Sequence, residues 1–376
     1  MKKYFLLAAM VGVALTGCVS NEPDLSGGGE KEITFSTPVV GKTTRALIDG
    51  TEYPSTESFG VYAWYYPDNT TTATTEYMSK VEVKLDANLT DKNTNINSES
   101  GGWEPSTPYY WPKNGTLKFD AFSPYSVVSC VGANATDGLV FTNYTVNDPA
   151  DVDLLYATRT TDKTSSTDTE ETTDNTKYDG VDIAFKHALS AVQIKAKTQG
   201  NYSREIRITS LKISEVENTN TFKQNVNLAT VETPDAAAWA TREQGTTPST
   251  TEYSYITTND AAKVVPFVGT DGTTTILDCG TKILLPQAVQ DSGIKLTVSY
   301  EIEYGVAGEN NTKTYLAQTT SFDLKEYLST TTANVSIINW EMGKRYIYTL
   351  VFTLDEIFFE PSVTDWVDVT IGETTN

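Results

Sequence analysis

Short runs in which apolar and polar residues alternate extend along most of the chain, and no window before residue 158 shows sustained helical spacing. The clearest run places six apolar residues on one face: Ile294, Leu296, Val298, Tyr300, Ile302 and Tyr304. A period of two is typical of a β-strand with one buried face. Many short strands separated by polar turns favour β-sandwiches. The pattern therefore predicts an all-β chain.

One polar stretch divides the chain. Residues 158–177 read TRTTDKTSSTDTEETTDNTK and supply nothing from which a core could form. We place a domain boundary at the end of this stretch and predict two β-sandwiches in tandem, over residues 46–178 and 179–376. Near the start of the second domain the apolar positions change parity at residues 187–190, which predicts a bulge or a corner there.

The stretch 32–49 combines a strand with a polar tether. Three apolar residues alternate with polar ones in the strand: Ile33, Phe35 and Val39. The tether carries two cations, Lys42 and Arg45. A strand joined to its domain through an exposed arginine-containing tether can be cut away. Because each buried apolar side chain contributes about 1.5–3 kcal/mol, against about 5–15 kcal/mol for a whole domain, the emptied groove would need another strand.

The stretch 356–371 at the other end of the chain reads as a long strand, interrupted near Pro361. Six apolar residues share one parity: Ile357, Phe359, Val363, Val367, Val369 and Ile371. A terminal strand with a continuous apolar face can complete an open groove in a neighbouring molecule. This stretch is therefore our candidate donor strand.

The first 18 residues have the pattern of a secretory leader. Lys2 and Lys3 precede an apolar run that is too short to span a bilayer. The run ends in LTGC, which looks like a bacterial lipobox and predicts lipidation of Cys18. The alternative is an ordinary signal peptide with an incidental cysteine. Residues 19–45 are then a flexible leash followed by the removable strand.

Composition narrows the possible functions. The net charge of −21 opposes nucleic-acid binding, which needs clustered Lys and Arg. One histidine and three cysteines make a zinc site implausible, and we predict no metal and no cofactor. His187 is predicted to pack at a corner and to bond to the backbone, since no GxSxG elbow accompanies it. We predict that the chain is not an enzyme.

Clustered aromatic residues leave one alternative open. A sugar-stacking platform could be formed by seven of them: Trp64, Tyr65, Tyr66, Trp103, Tyr109, Tyr110 and Trp111. Aromatic residues in strands more often pack in cores and against neighbouring strands. The alternative reading is a monomeric surface lipoprotein that binds glycan or host protein.

A set of motifs, taken in order and spacing over nearly the whole chain, resembles the fimbrillins, subunits of type V pili on the surface of Gram-negative anaerobes. The motifs are the lipobox at Cys18, Thr44-Arg45-Ala46, residues 59–63 (FGVYA), YWP at 110–112 followed by LKFDAF at 117–122, DLLYA at 153–157, FKHALS at 185–190, residues 343–348, and VTDW at 363–366.

This resemblance implies two transthyretin-like β-sandwich domains and export as a lipoprotein attached to the outer membrane through Cys18. It also implies that an Arg-specific protease removes the first strand, cutting between Arg45 and Ala46. The groove would then accept a strand from another subunit, most plausibly the C-terminal segment, which incorporates the chain into a fimbrium at the cell surface. Arg45 favours a stalk or tip subunit. Apart from the resemblance, a host or glycan receptor is a further candidate partner.

Overall fold

The computed structural model describes residues 32–36, 38–40, 51–68, 70–73, 75–85, 102–160, 180–200, 204–228, 236–241, 249–267, 275–290, 292–307, 312–327, 339–353 and 356–365. These residues form strands and three short 3-10 helices, at Tyr125–Cys130, Val226–Leu228 and Leu324–Tyr327. The predicted all-β class is confirmed. Across the described ranges, no helix has the length and apolarity needed to cross a membrane.

The strands before residue 180 are β1 (Val39–Val40), β2 (Thr51–Glu52), β3 (Ser58–Tyr66), β4 (Thr75–Leu85), β5 (Trp103–Pro105), β6 (Thr116–Ser123), β7 (Val131–Asn134), β8 (Gly138–Thr145) and β9 (Leu155–Ala157). The later strands are β10 (Ala184–His187), β11 (Ser190–Thr198), β12 (Ile206–Glu217), β13 (Thr219–Lys223), β14 (Ala238–Trp239), β15 (Thr250–Ile256), β16 (Lys263–Val264), β17 (Leu277–Leu284), β18 (Gln287–Ala288), β19 (Lys295–Ala307), β20 (Thr312–Asp323), β21 (Asn339–Trp340), β22 (Lys344–Phe352) and β23 (Ile357–Asp365).

An eight-stranded sheet, in the order β2-β1-β10-β9-β6-β3-β4-β5, surrounds the first of two hydrophobic cores. We call it the N-terminal core. Strand β3 of this sheet is buried on both faces, because one face packs in the N-terminal core and the other packs in the second core. Phe59, Val61, Ala63 and Tyr65 enter the N-terminal core. Tyr62, Trp64 and Tyr66 point the other way, into the second and larger core.

Residues 180–187 pack with the first half of the chain, although the sequence analysis assigned them to the second. Strand β10 pairs with β9, and three apolar side chains enter the N-terminal core: Val181, Ile183 and Phe185. The chain leaves this sheet at His187 and enters a different one at Ser190. The parity change at residues 187–190 therefore marks the corner between two sheets, and the polar stretch before residue 178 does not separate the two cores.

A second sheet joins the two halves directly. Its order is β14-β13-β8-β7, so that β8 of the first half pairs with β13 of the second. Phe141 of β8 and Phe222 of β13 lie in the large core with ring centroids 5.1 Å apart. Strands β8 and β13 are more than 70 residues apart in the chain. Because they pair in one sheet, the contact between the two halves is part of the fold. The prediction of two tandem transthyretin-like sandwiches stays a prediction.

The C-terminal half contains two larger sheets that share the large core. One has the order β17-β11-β22-β23 and the other β15-β12-β19-β20, and a pair β18-β21 lies apart from both. Tyr300 of β19 and Phe352 of β22 meet at 5.3 Å between ring centroids, which places the two sheets face to face. Strand β22 lies between β11 and β23 in its sheet, as its apolar residues on both faces require.

Candidate functional site: the N-terminal segment and the C-terminal strand

The N-terminal segment, residues 32–36 and 38–40, closes the eight-stranded sheet. Phe35 forms an antiparallel bridge to Trp103 of β5 on one side and a parallel bridge to Val181 on the other. Strand β5 lies at one end of the sheet, and Val181 lies just before β10 near the other end. The segment therefore occupies the gap between the two ends, with a strand wall on each side.

Backbone hydrogen bonds hold the N-terminal segment to both walls. The N–H groups of Ile33 and Phe35 donate to the carbonyl oxygens of Tyr109 and Trp103, at 2.8 and 2.9 Å. On the opposite wall, Val181 donates to Thr34 O at 2.9 Å and accepts from Ser36 N at 3.1 Å. Farther along, the Val39 N–H donates to Ile183 O at 3.1 Å. Removing the segment would leave all these wall groups in need of new partners.

The side chains of the segment complete the N-terminal core. Ile33 and Phe35 are fully buried. The Phe35 ring makes edge-to-face contacts with Phe59 and Phe119, at 5.7 and 5.9 Å between centroids. Aromatic pairs of this geometry contribute beyond the area they bury. Phe35 is therefore the anchor of the segment.

The predicted inward position Val39 is wrong by one residue. Val39 is half-buried, and Val40 is the side chain that enters the core. The segment advances four residues from Phe35 to Val39 while the wall advances three, from Val181 to Ala184. One extra residue in a strand is a β-bulge, which exchanges the inward and outward positions beyond it. The bulge was not visible in the alternation because it depends on the partner strand.

Tyr53, which is not among the predicted site residues, is bonded to the segment through its backbone and packs in the N-terminal core. Its N–H donates to Pro38 O at 3.0 Å. Its ring packs against Phe59, Trp103 and Phe185. The hydroxyl is 2.7 Å from Ser123 Oγ. Burial raises the pKa of Tyr53 to about 12.

Gly180 lies close against the backbone of the segment. It has a positive φ of 97°, and a Cβ built there would lie 2.4 Å from the carbonyl carbon of Phe35 and 2.5 Å from Ser36 N. Real Cβ atoms are not found at such distances. A glycine just before a strand is a weak signal in sequence, because the neighbour that requires it is more than 140 residues away.

The predicted processing residues lie outside the described residues: Cys18, Arg45 and Ala46. The ends of the tether are nevertheless fixed. Val40 of β1 pairs with Thr51 of β2, so residues 41–50, which include Arg45, connect two adjacent antiparallel strands. A cut at Arg45 would therefore separate the N-terminal segment from the chain that follows.

The candidate donor strand is divided by the structure. Its first part is β23, which pairs with β22 over nine residues at the edge of its sheet. Ile357 packs against the large core of its own chain, whereas Val363 is 37% exposed. Phe359 pairs with Leu350 through the backbone. The remaining candidates lie outside the described residues: Val367, Val369 and Ile371.

Most of the proposed aromatic platform is core. Five of its seven members are buried: Trp64, Tyr65, Tyr66, Trp103 and Trp111. Tyr110 is 41% exposed, and Tyr109 is half-buried. His187 is buried at the predicted corner, but the bond that the structure shows at its Nδ1 is to a carboxylate, Asp153 Oδ2 at 2.8 Å. Aromatic side chains in these strands build the two cores.

The described architecture defines an all-β protein whose first sheet is closed by its N-terminal segment. The fimbrillin-like family matches residues 44–366, and the chain belongs to this family. The match begins just after the N-terminal segment and ends just after β23. Membership supports a pilus-related subunit at the cell surface.

Solved structures are similar to the chain at low sequence identity. A fimbrial protein from Bacteroides vulgatus is 18% identical with a TM-score of 0.52, covering 88% of this chain and 100% of its own. A proposed cell adhesion protein from Bacteroides uniformis is 18% identical with a TM-score of 0.47, covering 89% and 99%. The fimbrial anchor protein Mfa2 from Porphyromonas gingivalis is 12% identical with a TM-score of 0.28, covering 89% and 98%. No curated protein matches the chain.

Proposed function

We propose that the chain is a structural subunit, of the stalk or tip, of a cell-surface pilus that contributes to adhesion. In this proposal it is exported as a lipoprotein lipidated on Cys18 and held at the outer membrane. An Arg-specific protease then cuts between Arg45 and Ala46. The N-terminal segment leaves, and a C-terminal strand from another subunit takes its place. The assembly needs neither a cofactor nor catalysis by the chain itself.

The placement of the N-terminal segment is the observation that carries this proposal. The segment is hydrogen-bonded on both sides, buries Ile33, Phe35 and Val40, and is joined to the next strand by the tether that holds Arg45. Three buried apolar side chains stabilise a fold by about 1.5–3 kcal/mol each. The emptied groove would thus offer a large apolar area and unpaired backbone groups on both walls, which together favour β-strand addition.

The C-terminal strand supplies a plausible occupant. In β23 the chain already lies at a sheet edge, and its nine paired residues are followed by eleven more that include Val367, Val369 and Ile371. These three keep the alternating pattern that a groove with inward pockets needs. Ile357 is packed in its own chain, so we assign the donor role to the residues after β23.

Cleavage can be tested with a matched pair of arginine variants. The wild-type protein, treated with an Arg-specific protease, is expected to begin at Ala46 and to form SDS-resistant ladders. Arg45→Lys keeps the charge and is expected to stay uncut and monomeric. The control Arg204→Lys changes an exposed arginine in the second half of the chain and should form ladders like wild type. Ladders from Arg45→Lys would contradict the proposal.

The donor role needs a separate variant. Deleting residues 366–376 removes the part of the candidate donor that follows β23. The truncated protein is expected to be trimmed normally at Arg45 but to form no ladder by itself. An unchanged ladder would reject the C-terminal strand as donor. A wild-type protein that stays one band after complete trimming and binds a glycan array would favour the monomeric binder.

A further inference from the structure

Gly180 and the N-terminal segment meet backbone to backbone. A Cβ at this position would lie within 2.8 Å of three atoms of the segment: the carbonyl carbon and Cα of Phe35 and the nitrogen of Ser36. All three are main-chain atoms, so no side-chain rotation could relieve the overlap. The next residue, Val181, is bonded to the same segment through both its N–H and its carbonyl oxygen. The close approach and the hydrogen bonds therefore belong to one contact.

This contact does not depend on the side chains of the segment. Any strand that satisfies both polar groups of Val181 must run alongside it at the usual separation of paired strands, about 4.8 Å. The backbone of such a strand lies next to Gly180 in the position that residues 35 and 36 occupy in the intact chain. A side chain at position 180 would obstruct it, whichever residues the strand carried.

We propose that Gly180 is the positioning residue of the groove. It admits a strand that pairs with Val181 through main-chain atoms, and it fixes where the backbone of that strand must lie. The inference rests on the proposed function in one respect, namely that the first strand is replaced by another. It adds that the native segment and its replacement pass the same residue under the same steric requirement.

Gly280 provides a matched control because it shares the positive φ of Gly180 without its crowding. Its φ is +113°, and a Cβ there would meet only Tyr255 Cδ1 at 3.8 Å, an ordinary contact. Alanine at either position is destabilised by the positive φ. Only alanine at Gly180 should also expel the N-terminal segment.

Amide hydrogen exchange on the intact, untrimmed chain tests this difference. In Gly180→Ala, protection of the Ile33, Phe35 and Ser36 amides is expected to fall at least tenfold, with protection in β22 unchanged. In Gly280→Ala, the same three amides should stay within twofold of wild type. An equal fall in both variants, or no fall in Gly180→Ala, would overturn the assignment.

A comparison of intact and trimmed chains keeps the proposal falsifiable where Gly180→Ala folds poorly. The substitution should lower the unfolding midpoint of the intact chain more than that of the chain trimmed at Arg45, because trimming removes the atoms that the methyl group strikes. Equal losses in the two forms would mean that the cost is backbone strain alone, and the assignment would fail.

Mixing trimmed chains tests the replacement strand. Trimmed Gly180→Ala can donate its own C-terminal strand but should not accept one, so adding it to trimmed wild type is expected to shorten the ladder. Gly280→Ala should join the ladder without shortening it. A ladder unaffected by Gly180→Ala would overturn the claim for the replacement strand. If trimmed wild type forms no ladder, the proposed function fails, whereas the exchange measurement on the intact chain still decides the role of Gly180.

Discussion

Nδ1 of His187 lies 2.8 Å from Oδ2 of Asp153, where the chain passes from β10 of the eight-stranded sheet to β11 of the sheet β17-β11-β22-β23. The imidazole is almost fully buried, while the carboxylate is 24% exposed at its side chain. The pair connects the end of β10 to the residues just before β9. It therefore holds the start of the corner to the strand next to it in the eight-stranded sheet.

Removing the carboxylate should loosen this corner. We expect Asp153→Ala to lower the free energy of unfolding by about 1–3 kcal/mol, the cost of depriving a buried polar group of its partner. Asp153→Asn keeps an acceptor and should lose less. Urea denaturation at pH 7 measures both. Asp151→Ala, at an exposed neighbouring carboxylate, is the control and should stay within about 0.5 kcal/mol. Equal values for the three variants would contradict a role for the pair.

Phe35 and Val39 allow a buried and a half-buried position to be compared within the N-terminal segment. Phe35→Ala empties a fully buried aromatic site and is expected to cost about 3–5 kcal/mol in the intact chain. Val39→Ala, at the half-buried position beyond the bulge, should cost about 1 kcal/mol or less. Denaturant unfolding of the intact chain gives both values.

The reverse ranking would mean that Val39 faces inward after all and that the segment has no bulge. A second check uses the trimmed chain, obtained by cutting at Arg45 and removing the released peptide. There Phe35 is no longer part of the protein, so the wild-type and Phe35→Ala precursors must yield identical products. Any difference would show that the segment had not left.

Local alternation was enough to predict strands, but it carried no information on their partners. The burial of Ile33 and Phe35 followed from their spacing, since a period of two is a property of a single strand. The bulge before Val39 is set by the wall strand at residues 181–184, and the need for glycine at position 180 is set by the backbone of Phe35 and Ser36. In both cases the partner is more than 140 residues away. Such requirements arise only when the two segments meet.

The boundary between the two cores shows the same limit. Val181, Ile183 and Phe185 follow a long polar stretch, which is an ordinary signal for a new domain. They nevertheless return to the first sheet, because β10 completes it between β1 and β9. Likewise, the aromatic residues of β3 are buried on both faces because a second sheet covers the outer one. No local pattern distinguishes that arrangement from an exposed aromatic platform.

Asp120 and Arg159 form a buried ion pair on the outer face of β6. The Arg159 Nε and Nη2 donate to the two carboxylate oxygens, and Trp64 Nε1 donates to Oδ2 at 2.9 Å. Asp120 is fully buried, and the Arg159 side chain is 11% exposed. Asp120→Ala should therefore cost about 3–5 kcal/mol, because it leaves the guanidinium charge buried without its partner.

Two further variants separate this effect from general packing. Replacing both partners, Asp120→Leu with Arg159→Met, should recover much of the loss since no uncompensated charge remains. Lys212→Ala breaks an ion pair with Glu252 in which the two side chains are 39% and 45% exposed, and it should cost no more than about 1 kcal/mol. Thermal or urea unfolding of all three proteins measures the differences. A double variant as unstable as Asp120→Ala would contradict the charge argument.

Tyr53 predicts how stability depends on alkaline pH. Burial raises its pKa from 10.0 to about 12, opposed by the hydrogen bond with Ser123 and assisted by the charge of Glu57. Between these two pH values the unfolded chain has lost the phenolic proton while the folded chain retains it. The unfolded state then binds fewer protons, so the free energy of unfolding falls as pH rises, by up to about 1.4 kcal/mol per pH unit for this group.

The variant Tyr53→Phe isolates this contribution from those of the other buried tyrosines. At pH 8 it should be less stable than wild type, because it lacks the hydroxyl that bonds to Ser123 Oγ and Ser58 O. The gap should stay constant up to about pH 9.5 and then narrow toward pH 12, since only wild type loses the contribution of Tyr53. Urea unfolding followed by far-UV circular dichroism at half-unit steps from pH 8 to pH 11.5 measures the gap. Curves that run parallel over the whole range would show that Tyr53 ionises equally readily in the folded and unfolded chains. The Tyr53 hydroxyl would then be open to solvent, against the burial that the structure shows.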